Sequence, residues 1–161
     1  MAGFVDGRPS LVYGLDLATH LTRIDARTVA LHMARDHHEH LVGAGWSSVQ
    51  FDGVAPYRET VGREAELLLP IVEPKDLRLG VQLIGLTHTG GQPGSIGIRI
   101  NEQPLPPIVP TIEWRRYWWD VPASVLRKGV NSLVFEISPE TTQMAVSDVL
   151  VESNGPSPTP P

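Results

Sequence analysis

The chain contains no cysteine, which excludes disulfides, cysteine-ligated zinc, iron–sulfur clusters and a thiol nucleophile. Long apolar runs are also missing. The densest, Leu67-Leu68-Leu69-Pro70-Ile71-Val72, falls far short of the ~20 residues that a bilayer-spanning helix requires. The opening MAGFVDGRPS carries Asp6 and Arg8 where a secretory leader needs a basic start followed by an apolar stretch, so no leader is read there. By default the chain is expected in the cytoplasm or peripheral to a membrane complex, with no span of its own. Positive charge is scarce, with 13 Lys+Arg against 18 Asp+Glu and a formal net charge of −5. Phosphate binding needs clustered cations, so nucleic acid and a polybasic membrane contact are excluded as partners. Lysine is the rarer cation: eleven arginines stand against two lysines, a bias that favours bidentate carboxylate pairing and interfaces.

Glycine and proline, by contrast, are abundant, 15 of each among 161 residues. They leave little room for long helices and favour short strands joined by turns. With 41% hydrophobic and 19% charged residues, the composition is that of one folded domain with appendages. Residues 1–45 read as an N-terminal arm. It carries a short helix capped by Asp25 or Thr28 and running through Val29, Leu31, Met33 and Ala34 into the His-rich stretch that ends at His40, with Gly43 beyond. Leu11-Val12-Tyr13 reads as a strand within the arm. From Trp46 the pattern becomes short strand-like runs bounded by turn residues, at 46–51, 57–61, 65–72, 77–88, 94–100, 108–112, 113–121, 132–137 and 144–151. Alternation is plain in Leu77-Arg78-Leu79-Gly80-Val81-Gln82-Leu83 and in Ile96-Gly97-Ile98-Arg99-Ile100, so each buries one face and wets the other. Residues 88–94 form a loop. Pro106, Pro107 and Pro110 keep their segment at a sheet edge. Pro122 opens and Gly129 closes one helical turn. The ending SNGPSPTPP, residues 153–161, reads as a polyproline-type tail. The domain itself spans 46–152.

Catalytic motifs find little support. Gly94-Ser95-Ile96-Gly97 is preceded by Pro93 where a nucleophile elbow would have glycine, and Gly43-Ala44-Gly45 lacks the Lys-Ser/Thr of a phosphate loop. Acid pairs such as Glu64/Glu66 and Glu136/Glu140 are read as solvated strand faces. If residues 28–40 are helical, His32, Asp36 and His40 share one face at metal-ligand spacing, with His37 at its edge. A solvated helix end explains the same residues, and no metal is assigned to them.

The stretch Glu113-Trp114-Arg115-Arg116-Tyr117-Trp118-Trp119-Asp120-Val121-Pro122, followed by Leu126, Gly129, Asn131, Leu133 and Phe135, resembles a recurring pattern of the galactose-binding-like jelly rolls. There an aromatic strand leads through a V-P…L…G-x-N-x-L crossover into a core strand. Ile98-Arg99-Ile100-Asn101-Glu102-Gln103-Pro104-Leu105 is similar to the superfamily's strand, Asn-Gly, strand hairpin, with Glu102 in place of glycine. Gly45-Trp46 with the 65–72 strand looks like the entry of such modules appended to bacterial glycosyltransferases and glycosidases. The resemblance implies an all-β fold, an antiparallel β-sandwich of the jelly-roll type. It implies no cofactor beyond the structural calcium that many relatives hold. Fold alone carries no function, because these sandwiches serve as sugar-binding modules, docking modules and spacers alike.

Period two places Tyr117, Trp119 and Val121 inward and Trp114, Arg116 and Trp118 outward. Two tryptophans flanking an arginine make a platform for a sugar ring or a protein hot spot, unless the N-terminal arm covers it. His88, in the neighbouring loop, would supply a wall. The first expectation is a non-catalytic accessory subunit that docks on a larger protein assembly through this face and its arms. The alternative is a carbohydrate-binding module that recognises a glycan on the tryptophan face. In either case Val125 and Leu126 plug the end of the core, so Leu126→Ala is expected to lower stability by ~2–5 kcal/mol in urea unfolding.

Overall fold

The computed structural model describes residues 28–33, 36–86, 94–138 and 143–153. In chain order its strands are β1 (Thr28–His32), β2 (Gln50–Phe51), β3 (Pro56–Glu59), β4 (Glu64–Ile71), β5 (Leu77–Leu86), β6 (Ile96–Ile100), β7 (Gln103–Ile108), β8 (Arg115–Val121), β9 (Gly129–Ile137) and β10 (Gln143–Ser153). They build two antiparallel sheets. The first runs β2-β3-β10-β5-β8, and the second β4-β9-β6-β7. The expected all-β sandwich is the observed one. Among the described residues no helix is long and apolar enough to cross a membrane.

Alternation decides which side of each strand enters the core. Leu77, Leu79, Val81 and Leu83 of β5 point inward, as do Ile96, Ile98 and Ile100 of β6, and all are buried. Leu133, Phe135 and Ile137 of β9 lie beside those of β6 and belong to the same core cluster. In β10, Val146 and Val149 are both buried although two residues lie between them, which in a regular strand would put them on opposite faces. A register irregularity between Val146 and Asp148 supplies the extra residue, as a β-bulge does.

Of three sequence expectations about these elements, two are corrected and the third is met. The helix through Val29 and Leu31 is strand β1, which pairs with β10 from Thr28↔Glu152 to His32↔Asp148. A short 3-10 helix, Asp36–Leu41, follows it. The physical reason is that Leu31 and Met33, both buried, repeat with period two, which a strand satisfies and a helix does not. β5 occupies one edge of β10 along its length, so β1 and β3 share the other edge. Second, the strand expected at 108–112 is β7, shifted to Gln103–Ile108, because the hairpin closes sooner than proline content implies. Third, Asn101-Glu102 forms a two-residue turn between partners Ile100 and Gln103, with φ of 48° and 71°, the left-handed conformation of a type I′ hairpin. Glu102 fills the position that glycine usually takes. β7, carrying Pro104, Pro106 and Pro107, is an edge strand as its prolines require. Leu11-Val12-Tyr13, the 88–94 loop up to Pro93, and the tail beyond Ser153 lie outside the described residues.

Tryptophans latch both sides of the sandwich. The Trp46 indole N–H donates to the Glu66 carbonyl at 2.7 Å, and its ring meets Phe135 edge-on with centroids 6.0 Å apart. Gly45 before it has φ +93°, and a Cβ there would lie 2.1 Å from the Glu64 carbonyl oxygen, so only glycine fits. On the other side the buried Trp119 of β8 donates its indole N–H to the Pro106 carbonyl of β7 at 2.8 Å. Arg58, also buried, ties the N-terminal strand to β3: its guanidinium donates to the carbonyls of Met33 (2.8 Å) and Ser47 (2.9 Å) and pairs with Glu39.

At one end the chain leaves β8 through the short 3-10 helix Ala123–Val125 and enters β9. Leu126 is buried there as the sequence implied, with Val125 packed beside it. The fully buried Asn131 side chain fixes this crossover. Its Nδ2 donates to the carbonyls of Leu69 (3.3 Å), Arg127 (2.9 Å) and Gly129 (3.1 Å). Its Oδ1 accepts from the Arg127 N–H (2.9 Å) and from Asn101 Nδ2 (2.6 Å). Asn101 in turn donates to the Val125 carbonyl and accepts from the Ser132 N–H, both at 3.0 Å. Asn131→Ala strands several of these groups without water. A loss of roughly 2–4 kcal/mol is expected in urea unfolding, with the midpoint moving and the slope unchanged.

Candidate functional site

The outward faces of β10, β5 and β8 make one surface on the first sheet, and its register sets three rows. Glu152, Arg78 and Asp120 form the first, Leu150, Gly80 and Trp118 the second, and Asp148, Gln82 and Arg116 the third. The parity read from the sequence holds. Trp119 and Val121 are buried, while Trp118 is 37% exposed. Tyr117, half-buried, packs against the core, and its hydroxyl accepts a hydrogen bond from the Thr111 N–H at 3.0 Å.

Trp118 lies where Gly80 leaves room for it. A Cβ on Gly80 would come within 2.6–2.8 Å of three carbons of the six-membered ring, so the indole rests directly on the backbone of β5. The Arg78 guanidinium sits 4.5 Å from the ring centroid, a cation–π arrangement. Arg78 is itself flanked by Asp120 at 3.8 Å and Glu152 at 3.9 Å. Arg116 pairs with Asp148 at 2.7 Å.

Trp114 keeps the outward parity one residue before β8, and its ring meets Tyr57 of β3 with centroids 5.6 Å apart. Arg58 is paired with the inward Val146, so Tyr57 belongs to the outer face as well. The Trp114 indole N–H donates to Asp52 Oδ2 at 3.1 Å. Asp52 Oδ1 accepts from the Val54 and Ala55 amides. These amides, Ala55 first, and then Trp114 hold the Asp52 carboxyl below its ordinary value. It is therefore an anion at neutral pH, and whatever it adds to the β2–β3 turn is present there and fades on acidification through its lowered value. Sequence reading missed Tyr57, Asp52, Arg78 and Gly80. Only Gly80 left a signal, as a glycine in the middle of an alternating strand, which marks a close approach.

Of the residues singled out from the sequence, Trp114, Arg116 and Trp118 share this surface, whereas His88 lies outside the described residues. His32, Asp36 and His40 do not share a helical face, because His32 is in β1 and the other two are in the 3-10 helix. Among the described residues no three His, Asp or Glu side chains are grouped so as to hold a metal ion.

No protein-family model matches the sequence, and no curated protein sequence matches it. Solved structures do match. A family 35 carbohydrate-binding module from an environmental isolate superposes with a TM-score of 0.58 at 15% identity, covering 81% of this chain and 98% of that one. The Podospora anserina GH26-CBM35 β-(1,4)-mannanase matches with a TM-score of 0.54 at 9% identity, over 83% of this chain and 29% of the enzyme. The family 35 module from Paenibacillus barcinonensis matches at 0.51 and 11% identity, over 79% and 98%. The fold is thus an antiparallel β-sandwich similar to that of such modules.

If Trp118 depends on the missing Cβ of Gly80, Gly80→Ala will lift the flexible indole and leave the strand in place. The expected result is a shift in tryptophan emission that vanishes in the Trp118→Phe background, with far-UV circular dichroism unchanged.

Proposed function

We propose that the chain is a non-catalytic carbohydrate-binding module that holds a glycan on the outer face of its first sheet. The observation that carries this reading is Trp118, a half-exposed indole laid on Gly80 and bordered by hydrogen-bonding side chains. Sugar rings present apolar C–H faces and a rim of hydroxyls. An aromatic surface receives the former, and Arg78, Asp120 and Gln82 supply donors and acceptors for the latter. Trp118 and Trp114 are four strand positions apart, about 13 Å along the chain. That separation suits an extended oligosaccharide better than a single sugar.

Likeness to carbohydrate-binding modules supports this reading over docking on a larger protein assembly, the use of the same face first expected from the sequence. The larger complex therefore becomes the second proposal.

Titration calorimetry or affinity electrophoresis against a panel of oligosaccharides tests the first. A glycan that binds the wild type is expected to bind Trp118→Ala about tenfold or more weakly, with the melting temperature little changed, since the ring is at the surface. Binding unaffected by Trp118→Ala would remove this face as the site.

A further inference from the structure

The charges of the platform indicate which glycans it accepts. This inference rests on the glycan-binding reading and narrows it. Among the described side chains of the face the cations are Arg78 and Arg116. Against them stand Asp120, Asp148 and Glu152 in the same rows. Glu59, paired with Ala145 on the outward register, and Asp52 beneath Trp114 add two more anions. Arg78 is shared between Asp120 and Glu152, and Arg116 is held by Asp148. Among the described side chains of the face, no cation is left without a carboxylate neighbour. The Asp120 side chain is 85% exposed, so an incoming anion would meet a like charge in solvent before it reached Trp118.

We infer that the ligand is an uncharged glycan, stacked on Trp118 and hydroxyl-bonded along the Arg78 and Arg116 rows, and that glycans carrying uronate or sulfate are rejected. The arginines here act as hydroxyl donors kept in place by carboxylates, and the carboxylates enforce the exclusion.

The full chain is run in affinity gels containing neutral glucan, xylan, mannan or galactan, and in parallel gels containing polygalacturonate or alginate. The expected result is retardation by at least one neutral polymer, lost in Trp118→Ala, and no retardation by the acidic polymers at low ionic strength. In the double variant Asp120→Asn, Glu152→Gln, Arg78 is released, and salt-sensitive binding of polygalacturonate should appear or rise several-fold. Wild-type binding to an acidic polymer that Trp118→Ala abolishes would overturn the charge inference and leave the glycan site standing. Retardation by none of the polymers would overturn both.

Discussion

One amide side chain carries a disproportionate share of the architecture. Asn131 is buried near the start of β9, just after the chain passes from the first sheet to the second through residues 122–128, whose backbone groups have left one ladder and not yet joined the next. Such groups cannot stay unpaired in a dry interior. Its five hydrogen bonds to the crossover, to β4 and to Asn101 satisfy them with a side chain instead of water. The consequence reaches the candidate face. β8 ends at this crossover, and pairing with β5 from Leu77↔Val121 to Leu83↔Arg115 fixes its register from the same end. A slip of one residue would send Trp118 inward and Trp119 out to solvent.

The two sheets present different exteriors. On the second, Arg99 stands among Glu64, Glu102 and Glu136, and no aromatic ring occupies an outward position of β4, β9, β6 or β7. That face is acidic and compensated by a single arginine. On the first, charge pairs border a ring. Both faces need charge for solubility, but only one combines it with an exposed aromatic surface, and stacking on a sugar requires both kinds of atom at once.

How much of this was legible in the sequence depends on the distance over which the determining contact acts. Alternation in β5 and β6 is local, so the inward and outward sets could be read directly. The same holds for β8, where Val121 beside the crossover set the parity. The N-terminal strand was misread because Leu31 and Met33 share both strand and helix spacings with their apolar neighbours. Its partner β10 lies more than a hundred residues away, and tertiary pairing settled the choice. Arg58 gave no signal at all: its partners Met33, Ser47 and Glu39 come from a segment that only folding brings to it. Trp118 was legible as an outward aromatic. Its seat was not, since Gly80 is cross-strand and the absence of a Cβ becomes meaningful only once the register is known.

That seat also bears on affinity. A surface tryptophan free to rotate loses rotamer freedom when a ligand immobilises it, at a cost of about 0.5–1.5 kcal/mol for a mobile interface side chain. Here the ring is already set down on Gly80 and flanked by Arg78, and Arg78 is steadied by two carboxylates. Much of the ordering is done during folding. The carboxylates that steady the arginine therefore serve two ends, holding the stacking surface in position and leaving no unpaired cation on it. The glycan proposed for this face would then meet side chains already in place.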